Sequence, residues 1–273
     1  MPTHPATWLL VVALILPGCS GVVAPEADRR VAGEPPYGET LHDEGLLYER
    51  TGAALRDAGS YTYERSERAV KGADVVRVDR TMARRQLSAG RSLVRQEHPD
   101  RVLVSYTVTG TDAEPGYRYT RLTYPPGENG RNRTSRERYG GNLTGPTEGG
   151  LVPAPTGAVL TAEPLHYDGP AMVDGQGTYR YVVRNGSWSD VRYSHYAGDT
   201  HIERYRLEVL VRPDGSLARS RLTMRVSAGG RQYVVVERTR YRALGDTAVT
   251  PPPWTDDTGG GGSKVRAGAG ETR

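Results

Sequence analysis

The fold is decided by residues 203–242, which read ERYRLEVLVR, PDGS, LARSRLTMRV, SAGG and RQYVVVERTRYR. In the first segment, Tyr205, Leu207 and Val209 alternate with polar or charged residues. A period of two places apolar side chains on one face of a β-strand and polar side chains on the other. The Asp-Gly and Gly-Gly pairs between the segments favour tight turns. The stretch therefore predicts three consecutive antiparallel strands joined by hairpins.

The same period recurs upstream, where eight further strands are predicted. They are the segments 60–70, 74–86, 92–97, 102–109, 117–124, 131–139, 166–173 and 178–184. A helix is predicted before them at His42–Asp57, because apolar residues recur there at helical spacing and Gly59 follows as a stop. The Gly/Pro-rich break at 140–164 leaves room for a short second helix at 157–162. The chain is thus expected to be an α+β domain with one broad, curved antiparallel sheet of about eleven strands (a half-barrel), whose concave face the helix covers.

The composition agrees with a sheet that has one wet face. Only 36% of the residues are hydrophobic, Phe is absent and Tyr occurs 17 times. The net charge of +4 is carried by arginine, since Lys71 and Lys264 are the only lysines. A mildly basic exported protein favours anionic lipid headgroups over nucleic acid as a partner, so no nucleic acid is expected.

The first residues predict export and a membrane anchor. Trp8–Leu16 is an apolar run of nine residues, too short to span a bilayer, which takes about 20. The following Leu16-Pro17-Gly18-Cys19 resembles the lipobox of bacterial and archaeal lipoproteins. That resemblance implies that Cys19 is lipidated and becomes the mature N-terminus at the outer face of the cell membrane. An ordinary cleaved signal, or a short anchor with an incidental cysteine, is the alternative.

Three sequence triplets would be meaningful on an exported surface, and the composition predicts how the chain is divided. Asn132, Asn142 and Asn185 begin N-x-S/T triplets and are candidate glycosylation acceptors. The expected division is a signal peptide at 1–18, the lipidated cysteine and a flexible tether at 19–38, the folded domain at 39–254 and a disordered tail at 255–273.

The sequence offers little support for catalysis or for a bound cofactor. Asp199, His201 and Glu203 alternate at the start of a strand near His195, which would suit a divalent metal, but any wet strand face shows such alternation. His166 and Asp168 form a weak acid–base pair, and no G-x-S-x-G motif occurs. We therefore expect no enzyme, no metal site and no cofactor.

Guanidinium and aromatic groups interleave over residues 117–138. This segment contains Arg118, Arg121, Arg136, Tyr117 and Tyr119, among others. Its interpretations are the exposed face of a hairpin, a basic lip against anionic headgroups, or a stacking surface for nucleic-acid bases.

Several short segments resemble envelope lipoproteins of the LolA/LppX-like half-barrel group. They are Ala58–Tyr63 after the helix, Val211–Leu217 at the penultimate hairpin, and Thr247–Val249 with Pro253-Trp254 near the end. The resemblance implies a cavity for a lipid or an acyl chain between the curved sheet and its helices.

Two functions follow as expectations. The first is a non-enzymatic binder or carrier of a lipid or another hydrophobic ligand, with Tyr61, Tyr63, Val102 and Val104 as candidate lining residues. The second is a structural or protein-interaction module of the cell envelope with a filled core. The expected partners are the membrane through the lipid anchor, a hydrophobic small molecule and envelope proteins.

Overall fold

A computed structural model describes residues 33–110, 116–126, 132–139, 163–188 and 200–259. These residues form one α-helix, twelve β-strands and two short 3₁₀ turns. The elements are β1 (Thr40–Leu41), α1 (Glu44–Ala58), β2 (Ser60–Lys71), β3 (Asp74–Gln86), a 3₁₀ turn (Leu87–Ala89), β4 (Arg91–His98), β5 (Arg101–Val108), β6 (Gly116–Thr123), β7 (Arg133–Tyr139), β8 (Leu165–Val173), β9 (Gln176–Trp188), β10 (Thr200–Val211), β11 (Leu217–Ala228), β12 (Arg231–Arg242) and a 3₁₀ turn (Pro253–Gly259). The leader, Cys19, Asn142 and the predicted second helix at 157–162 lie outside the described residues.

All twelve strands form one open, curved antiparallel sheet. Their order is β1-β8-β9-β10-β11-β12-β2-β3-β4-β5-β6-β7. This confirms the predicted fold class, and each of the eleven predicted strands is present. The prediction missed β1, whose two residues pair with His166 and Leu165 of β8. So short a strand carries no periodicity and forms only because the chain returns to that edge.

The helix begins and ends where its caps lie. The Asp43 carboxylate accepts a hydrogen bond from the Leu46 N–H at 3.3 Å, so the helix starts at Glu44 and not at His42 as predicted. At the other end Gly59 adopts φ 68°, and its N–H donates to the Arg56 carbonyl at 3.0 Å. A left-handed glycine at this position is a common helix stop, and β2 follows directly.

Helix α1 packs on one face of the sheet, which we call the inner face. Leu47 and Leu55 share a buried cluster with Tyr61, Leu217 and Met224. Thr51 joins the helix to the sheet, because its hydroxyl donates to the Leu47 carbonyl at 2.6 Å and accepts from the Leu217 N–H at 2.9 Å. The inner face of β8–β12 and β2 therefore forms the main core.

The C-terminal segment, residues 243–259, crosses the opposite face, which we call the outer face. The Ser60 and Gln86 side chains accept hydrogen bonds from the N–H groups of Thr247 and Val249, and the hydroxyls of Thr62 and Thr247 lie 3.1 Å apart. The register places Ser60, Thr62 and Gln86 on the outer face. The segment ends in the 3₁₀ turn at 253–259, which lies against β7.

Both predicted domain boundaries need correction. Residues 33–38 belong to the folded body, because the Tyr37 hydroxyl donates to the Gly215 carbonyl at 2.6 Å and the Tyr37 N–H donates to the Tyr181 hydroxyl. Residues 255–259 are also folded, since Thr255 is buried and its N–H donates to the Pro252 carbonyl. Both ends of the folded domain are fixed by tertiary contacts, which the local sequence pattern does not predict.

Gly186 allows a close approach between β9 and β10, and this yields a prediction. A Cβ at residue 186 would lie 2.1 Å from Cζ of the buried Tyr205 ring, which stacks directly over the glycine. Gly186→Ala should therefore lower the free energy of unfolding by about 3 kcal/mol, measured by urea denaturation. Adding Tyr205→Leu should recover part of that loss, and a Gly186→Ala variant as stable as the wild type would contradict this packing.

Candidate functional site

The candidate site is a trough of about 500 Å³ on the outer face. It runs across five adjacent strands, β11, β12, β2, β3 and β4. Its lining residues are Glu64, Arg65, Ser66, Arg80, Thr81, Met82, Arg95, Glu97, Arg219, Arg238, Thr239 and Arg240. Pockets of a few hundred Å³ are of the size that small organic ligands occupy.

Two cross-strand rows build the trough. In the first row, Arg240 of β12 pairs with Glu64, Glu64 with Met82, and Met82 with Arg95. In the second row, Arg238 pairs with Ser66, Ser66 with Arg80, and Arg80 with Glu97. Residues directly opposite in an antiparallel sheet point to the same face, so both rows lie on the outer face.

The rows continue onto β5 with apolar side chains. Arg95 pairs with Val104, and Glu97 pairs with Val102. Both valines are partly exposed, as is Met82 on β3. Met82 lines the trough, and Val102 and Val104 lie just beyond its lining on the same face, across β4. We call these three residues the apolar end of the trough, and its part on β11 and β12 the basic end.

The four predicted lining residues do not line one groove. Val102 and Val104 lie on the outer face, at the apolar end of the trough. Tyr61 and Tyr63 lie on the inner face, where they are 0% and 4% exposed and pack against Tyr241 at ring-centroid distances of 6.2 and 5.2 Å. These tyrosines thus lie in the main core beneath α1, apart from the trough.

Beyond the trough, the outer face of β5–β7 is aromatic. Tyr106 is 3% exposed and lies 6.0 Å from the ring centroid of Tyr119. The Arg136 guanidinium stacks 4.1 Å from the ring centroid of Tyr117. The interleaved Arg and Tyr side chains of this hairpin thus contact each other within the sheet.

Some of the trough arginines form ion pairs with acidic side chains, and others form no ion pair among the described residues. Arg95 contacts Glu97 at 2.7 Å, Arg219 contacts Glu208 at 3.2 Å, and Arg240 pairs with Asp174. Arg80 and Arg238 are exposed. Glu97 lies opposite Arg80 in the register, but its carboxylate contacts Arg95. Sequence analysis missed these arginines, because their convergence depends on the register of five strands.

The inner face also carries ionisable groups near the core. Burial raises the pKa of the Tyr63 hydroxyl to about 12, and burial also raises the pKa values of Tyr48 and Tyr241. These phenols remain neutral throughout the physiological range. They supply polar tips to a tyrosine-rich core in a chain that has no phenylalanine.

On the inner face of β3 and β4, Asp79 is the centre of a small charged cluster. The Asp79 carboxylate lies 2.8 Å from Nδ1 of His98 and also accepts a hydrogen bond from Arg77. Burial by itself would raise the pKa of Asp79, but the hydrogen bonds from His98 and Arg77 outweigh it and hold the pKa below its ordinary value.

The other predicted site residues lie apart from the trough. Asn132 is exposed, and its side-chain oxygen accepts a hydrogen bond from the Tyr124 N–H at 3.1 Å. Asn185 lies within β9. His166 and Asp168 are in β8, where Asp168 contacts Arg180 at 3.2 Å and also pairs with Arg184.

Only two of the four candidate metal ligands lie in the described part of the chain. His201 and Glu203 lie in β10, and Glu203 accepts a hydrogen bond from Gln232, whereas His195 and Asp199 lie outside the described residues. Across the described ranges, no three His, Cys, Asp or Glu side chains are grouped in a way that could hold a metal ion. Within the same ranges, no helix combines the length and the apolar character needed to cross a membrane.

The comparison with known families identifies the chain. Its sequence matches the model of DUF7537, a family of unknown function, over residues 5–258. The chain belongs to DUF7537. No curated protein matches this DUF7537 member significantly.

One solved structure similar to this DUF7537 chain is the crystal structure of the LolA superfamily protein NE2245 from Nitrosomonas europaea. The two share 13% sequence identity with a TM-score of 0.23, over 78% of this chain and 96% of that chain. The sheet order and register of this chain by themselves define its described part as an open half-barrel with one α-helix.

The Asp79 cluster predicts a pH-dependent stability difference. A carboxylate whose pKa is lowered by folding stabilises the protein above its unfolded pKa, and this stabilisation is lost as the pH falls through the folded pKa. Asp79→Asn should therefore cost about 1 kcal/mol of unfolding free energy at neutral pH and almost nothing near pH 2. Urea denaturation at both pH values measures the difference. Asp100→Asn, at an exposed carboxylate 3.6 Å from Arg101, is the matched control and should change little. An Asp79→Asn cost that stays constant with pH would contradict the role of the charged form.

Proposed function

We propose that this protein is a non-enzymatic binding protein, exported and held at the outer face of the cell membrane by a lipidated Cys19, that binds a lipid or another hydrophobic ligand in the outer-face trough. The observation that carries the proposal is the apolar end of the trough, where Met82, Val102 and Val104 lie partly exposed on a common face. An alkyl chain lying against these side chains would gain about 0.8 kcal/mol for each methylene it buries.

The predicted leader and tether are consistent with this placement. A lipid anchor at Cys19 would stand only fourteen residues before the described body, which begins at residue 33, and would keep that body close to the membrane. A binding site near the bilayer surface would reach amphiphiles that leave or enter the membrane.

A second candidate function is a protein-interaction module of the cell envelope. It is favoured by three exposed valines at one end of the sheet, Val75, Val76 and Val234, which are 46%, 47% and 41% exposed. Clustered exposed apolar residues of this kind often contact another protein. The filled inner core beneath α1 fits this function as well as ligand binding.

Filling the apolar end tests the ligand-binding function directly. The probe is a long-chain alcohol that carries a photoactivatable diazirine, added to membranes that contain the full chain, with the cross-linked peptides identified by mass spectrometry. Cross-links should map to strands β3 and β5 around residues 82, 102 and 104. Val104→Trp should reduce them about tenfold, because each methylene kept out forfeits about 0.8 kcal/mol and 1.4 kcal/mol is a factor of ten.

Ser105→Trp is the matched control, since residue 105 is adjacent in sequence but points to the inner face. It should leave the cross-links within about twofold of the wild type. Absence of cross-links from the outer face in the wild type, or equal loss in both variants, would refute binding in the trough.

A further inference from the structure

The basic end of the trough places like charges directly opposite each other. Arg219 of β11 pairs with Arg240 of β12, and Arg221 pairs with Arg238. Like charges at directly opposed positions destabilise a sheet. Glu208 contacts Arg219 and lies opposite Arg221, and Asp174 pairs with Arg240, so these two acids face three of the four arginines.

The second row leaves two guanidinium groups facing the trough. Arg238 and Arg80 flank Ser66 from the two neighbouring strands, and both line the trough. Adjacent strands lie about 4.8 Å apart, so the Cα atoms of Arg80 and Arg238 are separated by roughly 10 Å. Two long, flexible arginine side chains can converge on one group across that span, and the Ser66 hydroxyl lies between them as a further donor.

The acidic residues of the trough do not neutralise this pair. Glu97 contacts Arg95, and Glu64 pairs with Arg242, at the edge of the outer face. Five of the lining arginines lie on the outer face with Glu64 and Glu97, whereas Arg65 points to the inner face and contacts Glu237 at 3.0 Å. The basic end therefore carries a positive charge that the described residues do not balance.

We infer that the ligand is an amphiphile with an anionic oxyanion head, a carboxylate or a phosphate, bound by Arg80, Ser66 and Arg238. This inference rests on the proposed function, because it assigns the hydrocarbon chain to the apolar end at Met82, Val102 and Val104. The arginine guanidinium matches both oxyanions through paired N–H donors, whereas a neutral or zwitterionic head would leave the opposed arginines uncompensated.

The register makes this assignment geometrically consistent. Met82 and Arg80 are two residues apart on β3, and Val104 and Val102 occupy the same two rows on β5. A ligand lying across the strands thus meets guanidinium groups on β12 and β3 and aliphatic side chains on β3 and β5, and it crosses the Arg95–Glu97 ion pair of β4 between them. The head and the chain would contact neighbouring parts of one continuous surface.

Three photoactivatable probes with the same chain test the head group: a fatty acid, an alkyl phosphate and the corresponding alcohol. In membranes containing the full chain, the acid, the phosphate or both should cross-link to the outer face about tenfold more than the alcohol. The stronger of the two anionic probes identifies the natural head group. Equal labelling by all three probes would overturn the inference while leaving the proposed function intact.

Paired charge variants locate the effect. Arg80→Gln with Arg238→Gln should reduce labelling by the anionic probes to the level of the alcohol and leave labelling by the alcohol unchanged. Arg206→Gln with Arg225→Gln removes the same charge from exposed arginines on the outer face of β10 and β11, outside the trough, and should have less than about a twofold effect. Equal loss in both double variants would show diffuse attraction and overturn the site.

A conservative variant separates binding from folding. Arg80→Lys with Arg238→Lys keeps both charges but removes the paired donors, so it should retain an intermediate preference for the anionic probes. Far-ultraviolet circular dichroism of each variant checks that the sheet is intact. If the lysine variant behaved like the glutamine variant while the sheet remained intact, the contribution of charge would be refuted.

Discussion

The structure depends on the antiparallel register of its strands, which runs without a shift from β11 through β12 to β2 and from β3 through β4 to β5. In such a sheet each residue shares a face with the residue opposite, so one pairing fixes the face of every side chain on both strands. The pairing of Tyr63 with Tyr241 and Ala83 assigns these residues to the inner face. The same ladder assigns Glu64, Met82 and Val104 to the outer face.

This register divides the molecule into a face that packs the core and a face that carries the proposed binding site. On the inner face, α1 covers a core of tyrosine, leucine and valine that is closed to solvent. On the outer face, the C-terminal segment crosses one end of the strands and leaves the trough open beside it. A ligand in the trough would therefore contact side chains that the main core does not need, which separates the energetics of folding from those of binding.

The sequence predicts the strands well and their faces poorly. Residues 203–242 alternate so regularly that their core face is evident from the pattern, and their hairpins are marked by Asp-Gly and Gly-Gly. Val102-Leu103-Val104 is apolar on both faces, so its pattern does not show which valines or leucine meet the helix. The buried position of Tyr61 and Tyr63 likewise follows from α1, whose placement depends on the contact between Thr51 and Leu217.

The basic end of the trough could not be predicted from the sequence for a related reason. Arginines occur throughout the chain, and nothing local distinguishes Arg80 or Arg238 from the rest. They become neighbours only through Ser66, after residues more than 150 positions apart have paired. The charge pattern that suggests an anionic ligand is thus a property of the sheet.

The central claim is that the outer-face trough holds an amphiphile in the native protein. Native mass spectrometry of the full chain, extracted gently from its own membrane, tests this claim most directly. The account predicts a mass that exceeds that of the covalent chain by one noncovalent amphiphile, and loss of that ligand in Val104→Trp. A chain that carries no noncovalent ligand, or one that keeps it in the Trp variant, would contradict the account.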